Sequence, residues 1–160
     1  MPEENSVGRF SVQFDLANDE DVIKAKSGLI TQGEVRRTRL TGVVDTGATR
    51  LVLPESVVAM LGLPESGRVT VRFADGRQDE KKSVGHVLVE IQSRSSVFTA
   101  VVEPGRTDAL IGAIVLEELD LIPDPTRQTL VPRDPHGIFA ELDAASLAGP
   151  CRSARRAAAS

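Results

Sequence analysis

The chain has 160 residues, enough for one ordinary domain with a real core and too few for two large ones. Its 23 acidic and 19 basic residues leave a net charge of -4, so no overall positive field draws it to nucleic acid or an anionic membrane. With no Trp, no Tyr and five scattered Phe, a base-stacking surface cannot be assembled.

The first residues, MPEENS, lack the basic region and apolar stretch of a leader. No apolar run approaches the length of a membrane span. Phe10, Val12, Phe14 and Leu16 then alternate with polar residues, the period-2 pattern of a half-buried strand, and Asn18 to Asp21 reads as a polar break. Residues 33–44 read as strand again, with Arg36, Arg37 and Arg39 on a solvated face. Next comes VVDTGATRLVLP, residues 43–54. Asp45-Thr46-Gly47 within it fits two descriptions: a turn in which Asp caps its own backbone, or a carboxylate held in a loop for chemistry. The tripeptide does not choose between them.

Pro54 stands at a helix start, and Gly62 ends the helix PESVVAML. Val69, Val71 and Phe73 alternate up to Asp75-Gly76, a strong hairpin signal, and the return strand runs to about Ile91. Residues 96–102, SVFTAVV, form a nearly continuous apolar run, as a strand buried on both faces would. Leu110-Ile111-Gly112 leads into a helix through AIVLEEL. A Pro-Asp-Pro turn at 123–125 and a last strand, QTLV, follow, and from about Ala144 the small-residue, Arg-rich tail reads as frayed. An internal echo is visible: strand, glycine turn and a helix closing on LGL (61–63) return as strand, glycine turn and a helix closing on LDL (119–121). The sum is mainly β, about eight short strands in a small closed or folded barrel with one or two short helices.

One cysteine, Cys151, gives no internal disulfide and no Cys-based zinc site, and His86 and His136 are too few for a metal cluster. Neither metal nor cofactor is expected, and the compartment expected is a reducing one, the cytoplasm.

VVDTGAT, a helix ending in LGL, a hairpin about ADG, then ALIG with a helix and a final strand together resemble the retroviral-type aspartic proteases, the retropepsins, in the bacterial stand-alone form. The order of elements is far more specific than the tripeptide. The resemblance implies an acid-protease barrel over residues 33–133, an N-terminal extension with a strand at 1–32 and a tail at 134–160. It implies that Asp45, Thr46 and Gly47 are catalytic, with Thr46 bonding across to an opposite loop. It also implies that Ala48 meets substrate, together with Phe73, Ala74, Asp75 and Gly76 at the tip of a flap, and that Leu110 to Gly112 lie against Asp45.

Peptide hydrolysis without metal needs a base to activate water and an acid to polarise the carbonyl. Two touching carboxylates that share one proton divide those roles. One Asp-Thr-Gly per chain then implies a symmetric homodimer acting on a peptide or protein, with no nucleic acid or membrane partner. The rival reading is a non-catalytic dimeric module of the same fold that binds a partner or an extended peptide. Where the viral enzymes carry an acidic residue and an Arg that pair, this chain has Thr49 and Ala113.

Overall fold

In the computed structural model, which describes residues 9–140 and 142, the alternating N-terminal segment becomes β1 (Arg9–Asn18), with Phe10, Phe14 and Leu16 buried. It is followed by α1 (Asp19–Lys26), a turn of 3-10 helix at Gln32–Glu34, β2 (Arg37–Asp45), β3 (Leu51–Pro54) and α2 (Glu55–Leu61). Then come β4 (Glu65–Arg72), β5 (Gln78–Ile91), β6 (Arg94–Glu103), β7 (Ala109–Ile111), α3 (Ala113–Leu119), β8 (Leu121–Asp124) and β9 (Thr129–Pro132). The strands run in the order β1-β2-β7-β3-β6-β5-β4, and β1 also pairs with β5. That extra pairing closes six strands into a barrel and leaves β4 outside on the edge of β5. The expected small closed β-barrel is what forms.

Residues 9–18, assigned from the sequence to an N-terminal extension, are one stave of this barrel. β1 is bonded antiparallel to β2 along its length and to β5 from Asp15 to Asn18. Closure pairs the six barrel strands on both sides and leaves β4 as the sheet's edge strand. Inside, Phe14, Leu16, Val44, Leu51, Leu53, Val87, Val89 and Ile111 are almost wholly buried, with Leu61, Val115 and Leu119 of the two helices against them.

The polar break expected at Asn18–Asp21 is instead the start of α1. The Asn18 side chain accepts a hydrogen bond from the Asp21 N–H at 3.2 Å and so caps the helix, while three acidic residues occupy the first turn and Lys24 and Lys26 the last. This is helix formation by capping and charge placement rather than by an apolar stripe. Among the described residues there are three α-helices, not one or two, and nine strands. The extra strand is β8, which passes through Pro123 and pairs with β9 in a separate ribbon. The tail expected to fray from about Ala144 lies outside the described residues.

The echo in the sequence has a conformational counterpart. Gly62 after α2 and Asp120 after α3 both adopt the left-handed conformation, with φ of 62° and 55°. Asp120 is not glycine, and its carboxylate is held at 2.8 Å by Arg133 while Arg94 bonds its carbonyl.

α1 is fastened to the rest by buried polar contacts. Asn18 Nδ2 donates to the carbonyls of Leu61 and Gly62, and the Asp21 carboxylate takes two bonds from the Arg36 guanidinium, at 2.8 and 3.0 Å, and one from its backbone N–H. The Arg36 hydrogen bonds hold the Asp21 carboxyl at about 2, against the ordinary 3.8, although burial pulls the other way. A carboxyl lowered in the folded state stabilises the fold fully above its unfolded value and ceases to do so as pH falls through the folded one. Wild type is therefore expected to lose this contribution between about pH 4 and pH 2. Asp21→Asn should be less stable at neutral pH by about 1–3 kcal/mol, towards the lower end because Arg36 is half exposed, and should show a shallower acid limb in urea unfolding. Equal stability of the two proteins at pH 7 would contradict this account.

Candidate active site at the Asp45 loop

Asp45 is the last residue of β2, immediately after buried Val44, so the apolar strand fixes where the carboxylate begins. The chain then turns, with the Ala48 N–H bonded to the Asp45 carbonyl at 3.1 Å and the Gly47 N–H donating to Asp45 Oδ1 at 2.9 Å. The self-capping bond that the turn reading requires is thus present. The turn does more than reverse the chain, because a second element grips it.

That element is β7 with the start of α3. β7 runs parallel to β2, with Val43 opposite Leu110 and Val44 opposite Ile111. The N–H groups of Ala113 and Ile114 then donate to the carbonyls of Ala48 and Thr49 at 2.8 and 2.9 Å. Gly112 sits between, so close to the loop that a Cβ there would lie 2.5 Å from the Arg50 carbonyl oxygen and 2.6 Å from the Thr49 carbonyl carbon. The expected placement of Leu110–Gly112 against the Asp45 segment is the one observed. No charge takes part in this grip, and Thr49 and Ala113 contribute their main chains only.

The other oxygen, Asp45 Oδ2, lies 3.2 Å from Nη2 of Arg9, which β1 sets directly opposite in the ladder. The Asp45 side chain is only 13% exposed, against 55% for Arg9. Thr46 and Gly47 are exposed and Ala48 half buried. An apolar row lies on the same face of the sheet. Val43 is two residues before Asp45 and shares its face, and its ladder partner Leu110 is itself opposite Val52, so the three half-buried side chains form one row beside the acid. Sequence reading did not single out Val43, Val52 or Arg9. Parity from Asp45 could have found Val43, but Val52 and Arg9 depend on strand pairing.

β4 and β5 form the expected hairpin, with Val71 opposite Asp79 and Arg72 opposite Gln78. At its tip Phe73 and Arg77 exchange a backbone bond, Asp75 Oδ2 takes the Arg77 Nε–H at 2.8 Å, and the guanidinium carbon stands 4.8 Å from the Phe73 ring centre. Hydrogen bonds from the Arg77 backbone and side chain lower the Asp75 carboxyl below its ordinary value. Ala74, Asp75 and Gly76 are exposed and Phe73 half buried. Among the described residues no hydrogen bond or ion pair joins this tip to Asp45. Among the described residues, no group of His, Cys, Asp and Glu is arranged to hold a metal, and no helix is long and apolar enough to cross a membrane.

Residues 31–118 match the family model described as gag-polyprotein putative aspartyl protease. Solved structures similar to this chain include EIAV protease complexed with the inhibitor HBY-793, at 19% sequence identity, covering 69% of this chain and 88% of that one with a TM-score of 0.49. No curated protein matches the chain.

The contact at Gly112 gives a direct test of how the loop is held. Gly112→Ala would drive a methyl group into backbone that cannot swing aside, at a cost of about 1–3 kcal/mol. Urea unfolding should register that loss, and amide exchange at residues 46–50 should quicken more than exchange elsewhere in the barrel. A variant as stable as wild type, with unchanged exchange in this loop, would mean that the close approach does not constrain it.

Proposed function

Because the chain belongs to the retroviral-type (gag-polyprotein) aspartyl protease family, we propose that it hydrolyses peptide bonds as a symmetric homodimer, with one Asp45 from each subunit in the catalytic pair. The observation that carries this reading is the setting of Asp45. A carboxylate 13% exposed, at the end of a buried strand, is held in a loop gripped by main-chain bonds from β7 and α3 and flanked by an apolar row. A surface turn has no need of that support.

In the proposed reaction one Asp45 takes a proton from a water as its oxygen attacks the scissile carbonyl. The protonated partner donates to the carbonyl oxygen, and a proton then passes to the leaving amine as the C–N bond breaks. Asp45 is the catalytic residue. Thr46 locks the two loops together through its exposed hydroxyl, and Gly47 and Ala48 present backbone to the substrate. Val43, Val52 and Leu110 receive an apolar substrate side chain. The hairpin tip from Phe73 to Gly76 closes over the bound peptide. The Arg77–Asp75 clamp favours a polar flap that moves as one preformed turn.

Asp45→Asn is nearly isosteric and removes the base, so it should reduce cleavage of a peptide library by about 10²–10⁴-fold or more while leaving the fold intact. Wild-type specific activity should rise with protein concentration around the dimer dissociation constant, because one chain supplies one carboxylate. Cleavage by the pure Asn variant would move the chemistry elsewhere. A stable dimer with no cleavage at any pH would make the protein a binding module instead.

Thr46→Val separates the two roles open to its hydroxyl. Losing a bond across the dimer axis leaves a buried partner unpaired, about 1–3 kcal/mol per group. Sedimentation should therefore show a weaker dimer, with unfolding of the isolated chain little changed. An unaltered dissociation constant would reduce Thr46 to a turn residue.

A further inference from the structure

The Arg9–Asp45 pair has no place in the reaction just described, and its geometry conflicts with it. Within one chain both carboxylate oxygens are engaged, Oδ1 by the Gly47 N–H and Oδ2 by the Arg9 guanidinium. A shared-proton pair requires the two Asp45 groups to come into contact with one of them neutral. A guanidinium 3.2 Å from Oδ2 occupies an oxygen that the pair needs. Arg9 is also free to leave. It is more than half exposed, and an ion pair with one partner in water contributes about 0–1 kcal/mol.

We propose that Arg9 is a holding counter-ion for Asp45: it neutralises the carboxylate in the separate chain and must release it when two chains bring their Asp45 groups together. Arg9 is then a positioning residue that sets how readily the active site assembles. The inference rests on the dimeric reading of the site.

The test is a dimer dissociation constant, measured by sedimentation for wild type, Arg9→Met and Arg9→Lys, each with Asp45 and with Asp45→Asn. Removing the guanidinium abolishes a contact that only the separate chains make, so Arg9→Met should associate more tightly. The gain should be severalfold and no more than about 30-fold, the limit for opening two half-exposed ion pairs. Arg9→Lys should stay close to wild type. In the Asp45→Asn background the methionine variant should change nothing, since the pair is already gone. The concentration giving half-maximal hydrolysis should move with the dissociation constant.

An Arg9→Met dimer equal to or weaker than wild type overturns the proposal, as does the same tightening without Asp45. If no variant cleaves peptide yet Asp45-dependent tightening is seen, the counter-ion stands and the protease reading fails. If wild type never dimerises, both fall.

Discussion

Two main-chain hydrogen bonds, from Ala113 and Ile114 to the carbonyls of Ala48 and Thr49, fix the position of Asp45. β2 delivers the carboxylate to the rim of the barrel, but a strand end followed by a small-residue turn would otherwise be free to fray. The parallel pairing of β2 with β7 carries the start of α3 alongside that turn, and the helix donates its first N–H groups to it. Helix starts have N–H groups with no partner inside the helix, and a turn has carbonyls to spare, so the contact satisfies both. Gly112 is the geometric condition for it, because any side chain there would hold the two backbones apart.

This makes the missing charge pair intelligible. Thr49 and Ala113 stand where the resemblance to the retropepsins leads one to expect an acid and an arginine, and both take part in this junction through backbone alone. With neither charge present, no unpaired charge is left at the junction. A main-chain grip also leaves the carboxylate of Asp45 as the local acid, with Arg9 as its single ion-pair partner among the described residues. The electrostatics of the rim therefore turn on one contact between β1 and β2.

What the sequence disclosed follows from how far each signal reaches along the chain. The helix AIVLEEL and the hairpin about Asp75-Gly76 are local, marked by glycines and by periodicity, and both formed where their residues predict. α1 gives no such signal, because its stabilising features are a cap, acids in the first turn and lysines in the last, with no apolar stripe to betray a helix. Pro123 and Pro125 mark a turn by residue type, yet Pro123 is tolerated in β8 because each strand of a two-stranded ribbon has a free edge. The Arg9–Asp45 pair spans 36 positions and exists only because β1 and β2 pair in one register. A shift of one residue would send Arg9 to the other face. Register is a property of the whole barrel, and no local pattern near either residue records it.

The same register explains how the Asp45 carboxylate is accommodated in one folded chain. A carboxylate in a partly dry setting is costly unless its oxygens find partners. The barrel meets this cost within the chain, with a backbone N–H on one oxygen of Asp45 and a guanidinium on the other. The N–H is rigid, part of the turn itself, and can persist through any chemistry. The guanidinium is on a long, half-exposed side chain, so it can swing away without a change in the fold. The fixed partner suits orientation of the acid and the movable one suits its protection, and a closed barrel with Asp45 at the rim has room for both.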